Sequence, residues 1–296
     1  MDSGRFAMVV AALFAASPLP SPVRAEADNP FNFRPAQPYG EAGDEPLLAD
    51  VYLPESDGPR PGVLMVHGGA WQFGSRRSMR PLAAQLAARG YCVVSIDYRL
   101  APKHKFPAQI EDCRAAVRWM RQNAASLKLD STRIAGVGVS AGGQLVLLLA
   151  TNNAGAAAPD TNADADASEA DHWLNAAVGL AAPCDFRPMP ADAAGLAYWL
   201  GGTRSERPEA YAAASPAAFV SPDDPPTLLI HGEKDPLVPV ASPRAMHAKL
   251  SGVGVATELM VMPGAAHTAP LWRADAQQRT FEFLAKHLPV SLPGGE

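Results

Sequence analysis

Two hydrophobic patterns alternate along this chain. Short continuous apolar runs, such as Gly62-Val63-Leu64-Met65-Val66 and Tyr91 to Ile96, are interleaved with stretches whose apolar positions recur every three or four residues. A continuous run of that length predicts a strand buried on both faces, and the three-to-four spacing predicts a helix with one apolar stripe. Met79, Leu82 and Leu86 mark a helix that stops before Gly90, and Pro107 starts the next, which carries Ile110 to Met120. Arg133 to Val139 predicts a strand and Ala141 to Ala150 a small apolar helix. Ala176 to Ala181, Thr227 to His231 and Thr257 to Met262 predict three more strands. A helix from Pro243 to Leu250, with Ser242 and Gly252 as expected caps, separates the last two. Leu47 to Leu53 alternates as an edge strand does.

Buried strands alternating with amphipathic helices require an α/β fold, with a mostly parallel central sheet and helices on both faces. The alternation continues through residues 46–290 with no separating linker and no internal repeat, so it predicts one domain. Within it, 186–222 is expected to be an irregular excursion over the sheet. Residues 26–45, with Pro30, Pro35 and Pro38, are expected to be an extended lead-in.

Residues 1–25 have the features of an export signal. Arg5 precedes the uncharged run Phe6 to Ala16, prolines at 18, 20 and 22 break any helix, and Val23-Arg24-Ala25 supplies small residues for cleavage. The run is too short to span a bilayer. The expectation is a secreted or periplasmic protein without stable membrane insertion.

Composition narrows the partners. The 296 residues are 48% apolar with net charge -5 and no basic block longer than a pair, so a nucleic-acid footprint is missing. Cys92, Cys113 and Cys184 lie far apart with no C-x-x-C spacing, so neither a metal nor another cofactor is expected. The default for Cys92 and Cys113 is burial as small hydrophobes.

Gly138-Val139-Ser140-Ala141-Gly142 matches G-x-S-x-G at a predicted strand-to-helix junction, the setting of a nucleophile on a sharp turn. Upstream, His67-Gly68-Gly69-Ala70-Trp71 follows directly on a buried strand. Backbone N–H groups of Gly69 and Ala70, together with that of Ala141 after the nucleophile, are candidate oxyanion donors. Gly68 is expected to shape the turn, and His67 to hold the loop by a hydrogen bond. Of seven histidines, His267 alone follows the last predicted strand on a Pro263-Gly264-Ala265-Ala266 loop, where an open α/β sheet gathers its site, so it is the candidate base. The orienting acid should lie between Ser140 and His267, and Asp235, followed by Pro236, is preferred over Asp185 and Glu233.

These segments, with Asp97-Tyr98-Arg99-Leu100-Ala101-Pro102, Phe106-Pro107-Ala108 and His231 to Pro239, resemble the hormone-sensitive-lipase-like esterases, above all the bacterial branch with feruloyl-esterase-type enzymes. The resemblance implies an α/β-hydrolase fold and a serine carboxylesterase with Ser140, Asp235 and His267 as its triad. It also implies a small-molecule ester substrate, with acetyl or feruloyl esters of polysaccharides as candidates. Asp97 to Pro102 would be scaffold, with Arg99 paired internally. The chain departs from many such enzymes at Ala70, where a methyl replaces a third Gly and narrows the acyl side, and at Val139, where many have Asp. Trp71, Trp199 and Trp272 are candidate pocket aromatics, core being the commoner fate of each. Two rivals differ in chemistry: a prolyl-oligopeptidase-like serine peptidase, ranked lower because no propeller domain fits, and a non-catalytic ligand-binding protein on the same fold. The export reading predicts that N-terminal sequencing of the protein recovered outside the cytoplasm starts at Glu26; an intact Met1 would contradict it.

Overall fold

Strand pairing converts the apolar runs into one sheet. The computed structural model describes residues 30–43, 45–56, 58–153 and 173–290; residues 1–25 and His172 lie outside the described residues. Eight strands, β1 (Phe31–Ala42), β2 (Glu45–Pro54), β3 (Arg60–Val66), β4 (Cys92–Ile96), β5 (Leu129–Val139), β6 (Ala176–Leu180), β7 (Thr227–Gly232) and β8 (Thr257–Met262), pair in the order β1-β2-β4-β3-β5-β6-β7-β8. β1 and β2 run antiparallel to their neighbours, and β3 to β8 are mutually parallel. The main helices are α1 (Arg80–Ala87), α2 (Ala108–Gln122), α3 (Ala141–Thr151), α4 (Ala241–Gly252) and α5 (Ala274–His287).

Side-chain alternation along the strands divides the core into two layers. Val63 and Met65 of β3 pack with Leu82 and Leu86 of α1 and Phe283 and Leu284 of α5. Leu64 and Val66 face the other way, toward Ile110 and Val117 of α2, Leu145 of α3 and Met246 of α4. The predicted α/β class with helices on both faces is therefore the observed architecture, an α/β-hydrolase fold.

Three expectations need correction. The sheet begins at Phe31, not near Pro46, because β1 pairs along the whole of β2. Only Phe31 and Tyr39 of β1 are buried, so no apolar alternation marks it. Its prolines withhold ladder donors, which an edge strand tolerates, and the register shifts between Arg34 and Gln37 and between Pro38 and Gly40. β5 starts at Leu129 rather than Arg133. Neither Ser242 nor Gly252 is a cap: both lie within α4, flanked by Val240 and Val253, and the Ser242 hydroxyl instead accepts from Cys184 N–H at 3.0 Å.

The excursion at 186–222 is made of turns and short helices, including Ala197–Leu200 and Pro208–Ala213. It is tied to the sheet by aromatic packing. Trp199 stacks on Trp71 at 3.6 Å, Phe186 packs edge-on to both, and the two indole N–H groups donate to Gln109 and Gln144. All three cysteines are buried free thiols. Among the described residues, no helix is long and apolar enough to cross a membrane.

Leu64 is fully buried at the centre of the sheet. Leu64→Ala should lower unfolding free energy by about 2–5 kcal/mol through lost burial and the cavity left behind. Urea denaturation checks this, and a change below about 0.5 kcal/mol would mean that the layer is not packed as described.

Candidate active site

Three turns at the C-terminal ends of parallel strands converge on one point. The first is the β5–α3 junction. Ser140 sits there at φ 54°, ψ −118°, a conformation side-chain-bearing residues rarely adopt. Its backbone is held at both ends: its N–H donates to Leu180 O at 2.7 Å, and its carbonyl accepts from Gln144 N–H at 3.0 Å. The turn closes only because its flanks lack side chains. A Cβ on Gly138 would lie 2.2 Å from Gly142 O, and one on Gly142 would lie 2.1 Å from Val66 O. The G-x-S-x-G spacing thus has a steric cause.

The second turn follows β7. Asp235 Oδ1 accepts from Leu237 N–H at 2.8 Å and Val238 N–H at 2.9 Å, leaving Oδ2 for the His267 imidazole. His267 arrives on the third turn, after β8. Its Nδ1 lies 2.6 Å from Asp235 Oδ2 and its Nε2 2.8 Å from Ser140 Oγ. Burial of Asp235 opposes its charge, but N–H groups of His231, His267 and Val238 outweigh this and hold the carboxyl well below the ordinary range. An ionised carboxylate can only accept, so Nδ1 of His267 carries a proton and, in the neutral ring, Nε2 is the acceptor that faces the serine hydroxyl. Such a site can remove the hydroxyl proton as oxygen attacks a carbonyl carbon.

The structure therefore brings together Ser140, Asp235 and His267. Asp185 lines the same pocket but pairs with Arg187 at 2.6 Å rather than with His267, and the Glu233 carboxylate accepts from Gly264 N–H.

The loop after β3 supplies fixed peptide dipoles. A trans peptide points its N–H opposite its C=O, so gripping one fixes the other. The carbonyl of Gly68 accepts from His67 Nδ1–H at 2.7 Å, which fixes the N–H of Gly69. That of Gly69 accepts from Gln72 and Phe73 N–H groups at 3.0 and 2.8 Å, which fixes the N–H of Ala70. The Gln144 bond to Ser140 O does the same for Ala141. Burial pushes the His67 imidazole down to about 4, so it is neutral and serves as a bracket stacked on Tyr98. The excursion contributes as well, since Tyr198 O–H donates to Ala70 O at 2.6 Å. Sequence reasoning missed Tyr198, and only the long-range packing of Trp199 on Trp71 brings it here.

Ser140 and His267 open into a pocket of about 650 Å³, within the usual range for a small-molecule site. Its wall is largely apolar, with Ala70, Trp71, Phe186, Leu196, Val238 and Met246 among the lining residues. Trp199 lies behind Trp71 in the core, and Trp272 is exposed away from the pocket lining. Arg99 is paired internally, to Asp112 at 2.7 Å. Among the described residues no group of three or more His, Cys, Asp or Glu side chains could hold a metal ion.

The depressed Asp235 carboxyl has a consequence for stability. Its contribution is complete above the unfolded carboxylate value near ~3.9 and is lost as pH falls through the lower folded value. The urea-midpoint deficit of Asp235→Asn relative to the parent should thus be largest near neutrality and shrink below about pH 4. A deficit that is constant from pH 7 to pH 3 would contradict an ionised, hydrogen-bonded Asp235.

Known proteins similar to this chain include several esterases. Esterase LipC of Mycobacterium tuberculosis is 35% identical over 239 residues, covering 76% of this chain and 58% of LipC, so the chain spans under two thirds of that relative's length. A truncated carbohydrate esterase from gut microbiota superposes with a TM-score of 0.75 at 25% identity, covering 88% of this chain and 98% of that one. The thermophilic esterase Est2 of Thermogutta terrifontis, also solved phosphorylated by paraoxon, gives 0.71 at 27% identity, covering 90% and 95%. The BD-FAE family model matches residues 49–250, which hold the His67 loop, the Ser140 turn and the Asp235 turn, and the chain belongs to the BD-FAE family.

Proposed function

We propose that the protein is a serine carboxylesterase, with Ser140 as nucleophile, His267 as general base and Asp235 as the acid that orients it. The carrying observation is the unbroken hydrogen-bonded line from Asp235 Oδ2 through His267 to Ser140 Oγ, opening on an apolar pocket. His267 Nε2 takes the hydroxyl proton as Oγ attacks the ester carbonyl, and Asp235 stabilises the imidazolium. The N–H groups of Gly69, Ala70 and Ala141, each fixed from behind, receive the oxyanion. His267 then protonates the departing alcohol, and water releases the acyl group by the same route. The esterase names of LipC and Est2 and the paraoxon adduct of the latter support this reading.

The pocket also bears on the substrate. Its wall favours an acyl or alcohol portion with an apolar body, such as a butyryl or feruloyl group, and the carbohydrate-esterase neighbour supports a sugar as the alcohol. The sequence of residues 1–25 supports action outside the cytoplasm.

Ser140→Ala should reduce hydrolysis of p-nitrophenyl butyrate about a thousandfold or more with the fold intact, and parent-like turnover would overturn the assignment. In a panel of acetyl, butyryl, feruloyl and long-chain esters, butyryl should exceed acetyl by up to about fifteenfold in kcat/KM, since each of its two additional buried CH₂ groups contributes about 0.8 kcal/mol. A strict acetyl preference would contradict an apolar acyl site.

A further inference from the structure

The Asp235 turn carries a second histidine that the mechanism above does not use. His231, at the end of β7, is completely buried. Its Nε2 lies 2.8 Å from Val238 O and 3.2 Å from Asp235 Oδ2, and its Nδ1 has no hydrogen-bond partner. Both neighbours of Nε2 can only accept, so Nε2 carries a proton. Donation goes to Val238 O, the shorter contact, with the positive end of the same N–H beside the carboxylate.

Val238 is thereby gripped from both sides. Its N–H holds Asp235 Oδ1, and its carbonyl is held by His231. The turn Asp235 to Val238 closes on the imidazole, and Val238 also lines the pocket. We propose that His231 is a positioning residue for the reaction: an imidazole whose Nε2–H fixes the Asp235 turn so that Oδ2 meets His267 Nδ1. The inference rests on the triad reading given above and extends it to a fourth side chain. Removing the group that orients a metal-ligating histidine costs about 10–100-fold, and a similar scale is expected for a group that orients Asp235.

The reach of the replacement side chain separates positioning from simple packing. The amide nitrogen of Gln sits where Nε2 does, whereas that of Asn reaches only the place of Nδ1, which has no partner. With p-nitrophenyl butyrate, His231→Asn and His231→Leu should lower kcat about 10–100-fold with KM within about twofold, and His231→Gln should recover most of the loss. Parent-like kcat in the Leu variant, or no recovery by Gln in a protein that melts like the parent, would overturn the proposal. Should the variants not fold, nitrogen-15 NMR of the parent decides: a proton on Nε2 supports the proposal, and an Nε2 without one overturns it. Failure of the triad reading itself is distinguishable, because it would appear as undiminished turnover in Ser140→Ala whatever His231 does.

Discussion

Everything at this site depends on a backbone conformation that the chain would not adopt on its own. Ser140 at φ 54° costs on the order of 1–3 kcal/mol relative to an ordinary strand or helix residue. It persists because the turn is enclosed: Leu180 O takes its N–H, Gln144 N–H takes its carbonyl, and Gly142 lies against Val66 O with no room for a side chain. These partners belong to β6, α3 and β3, so the strained residue is paid for by the centre of the sheet. The same enclosure presents Oγ at the C-terminal end of β5, where His267 reaches it.

Fixed hydrogen bonds behind the proposed reacting groups recur throughout the site. His67 behind Gly69, the Gln72 and Phe73 amides behind Ala70, and Gln144 behind Ala141 each grip a carbonyl so that the opposite N–H cannot turn away. Asp235 is held in the same manner by two amides of its own turn. Dipoles arranged before the substrate arrives need no reorganisation as charge develops, which is the physical basis of oxyanion stabilisation. The excursion at 186–222 belongs to this scheme, because Tyr198 and the Trp71–Trp199 stack anchor the loop after β3 from above.

Most of the fold was legible in the sequence because buried parallel strands leave continuous apolar runs, as β3, β4 and β6 do. β1 was not, since an edge strand with two buried side chains and two prolines inside it carries no alternation. Ser242 and Gly252 looked like caps from their types alone, but the tertiary demand of Cys184 N–H redirected the serine. At the site, Ser140, Asp235 and His267 were readable because each follows a strand and lies within three residues of a glycine or proline. Tyr198 was not, since its role depends on a contact across the fold, 128 residues from Ala70, and His231 was not, since no spacing rule marks a contact within its own turn to Val238 O.

Covalent labelling tests the central claim most directly. The protein is treated with a fluorophosphonate ester, weighed intact and mapped by peptide mass spectrometry. The account predicts a single adduct on Ser140, formed rapidly by the parent and abolished by denaturation. Rapid stoichiometric labelling at any other serine, or none in a protein that hydrolyses esters, would contradict it.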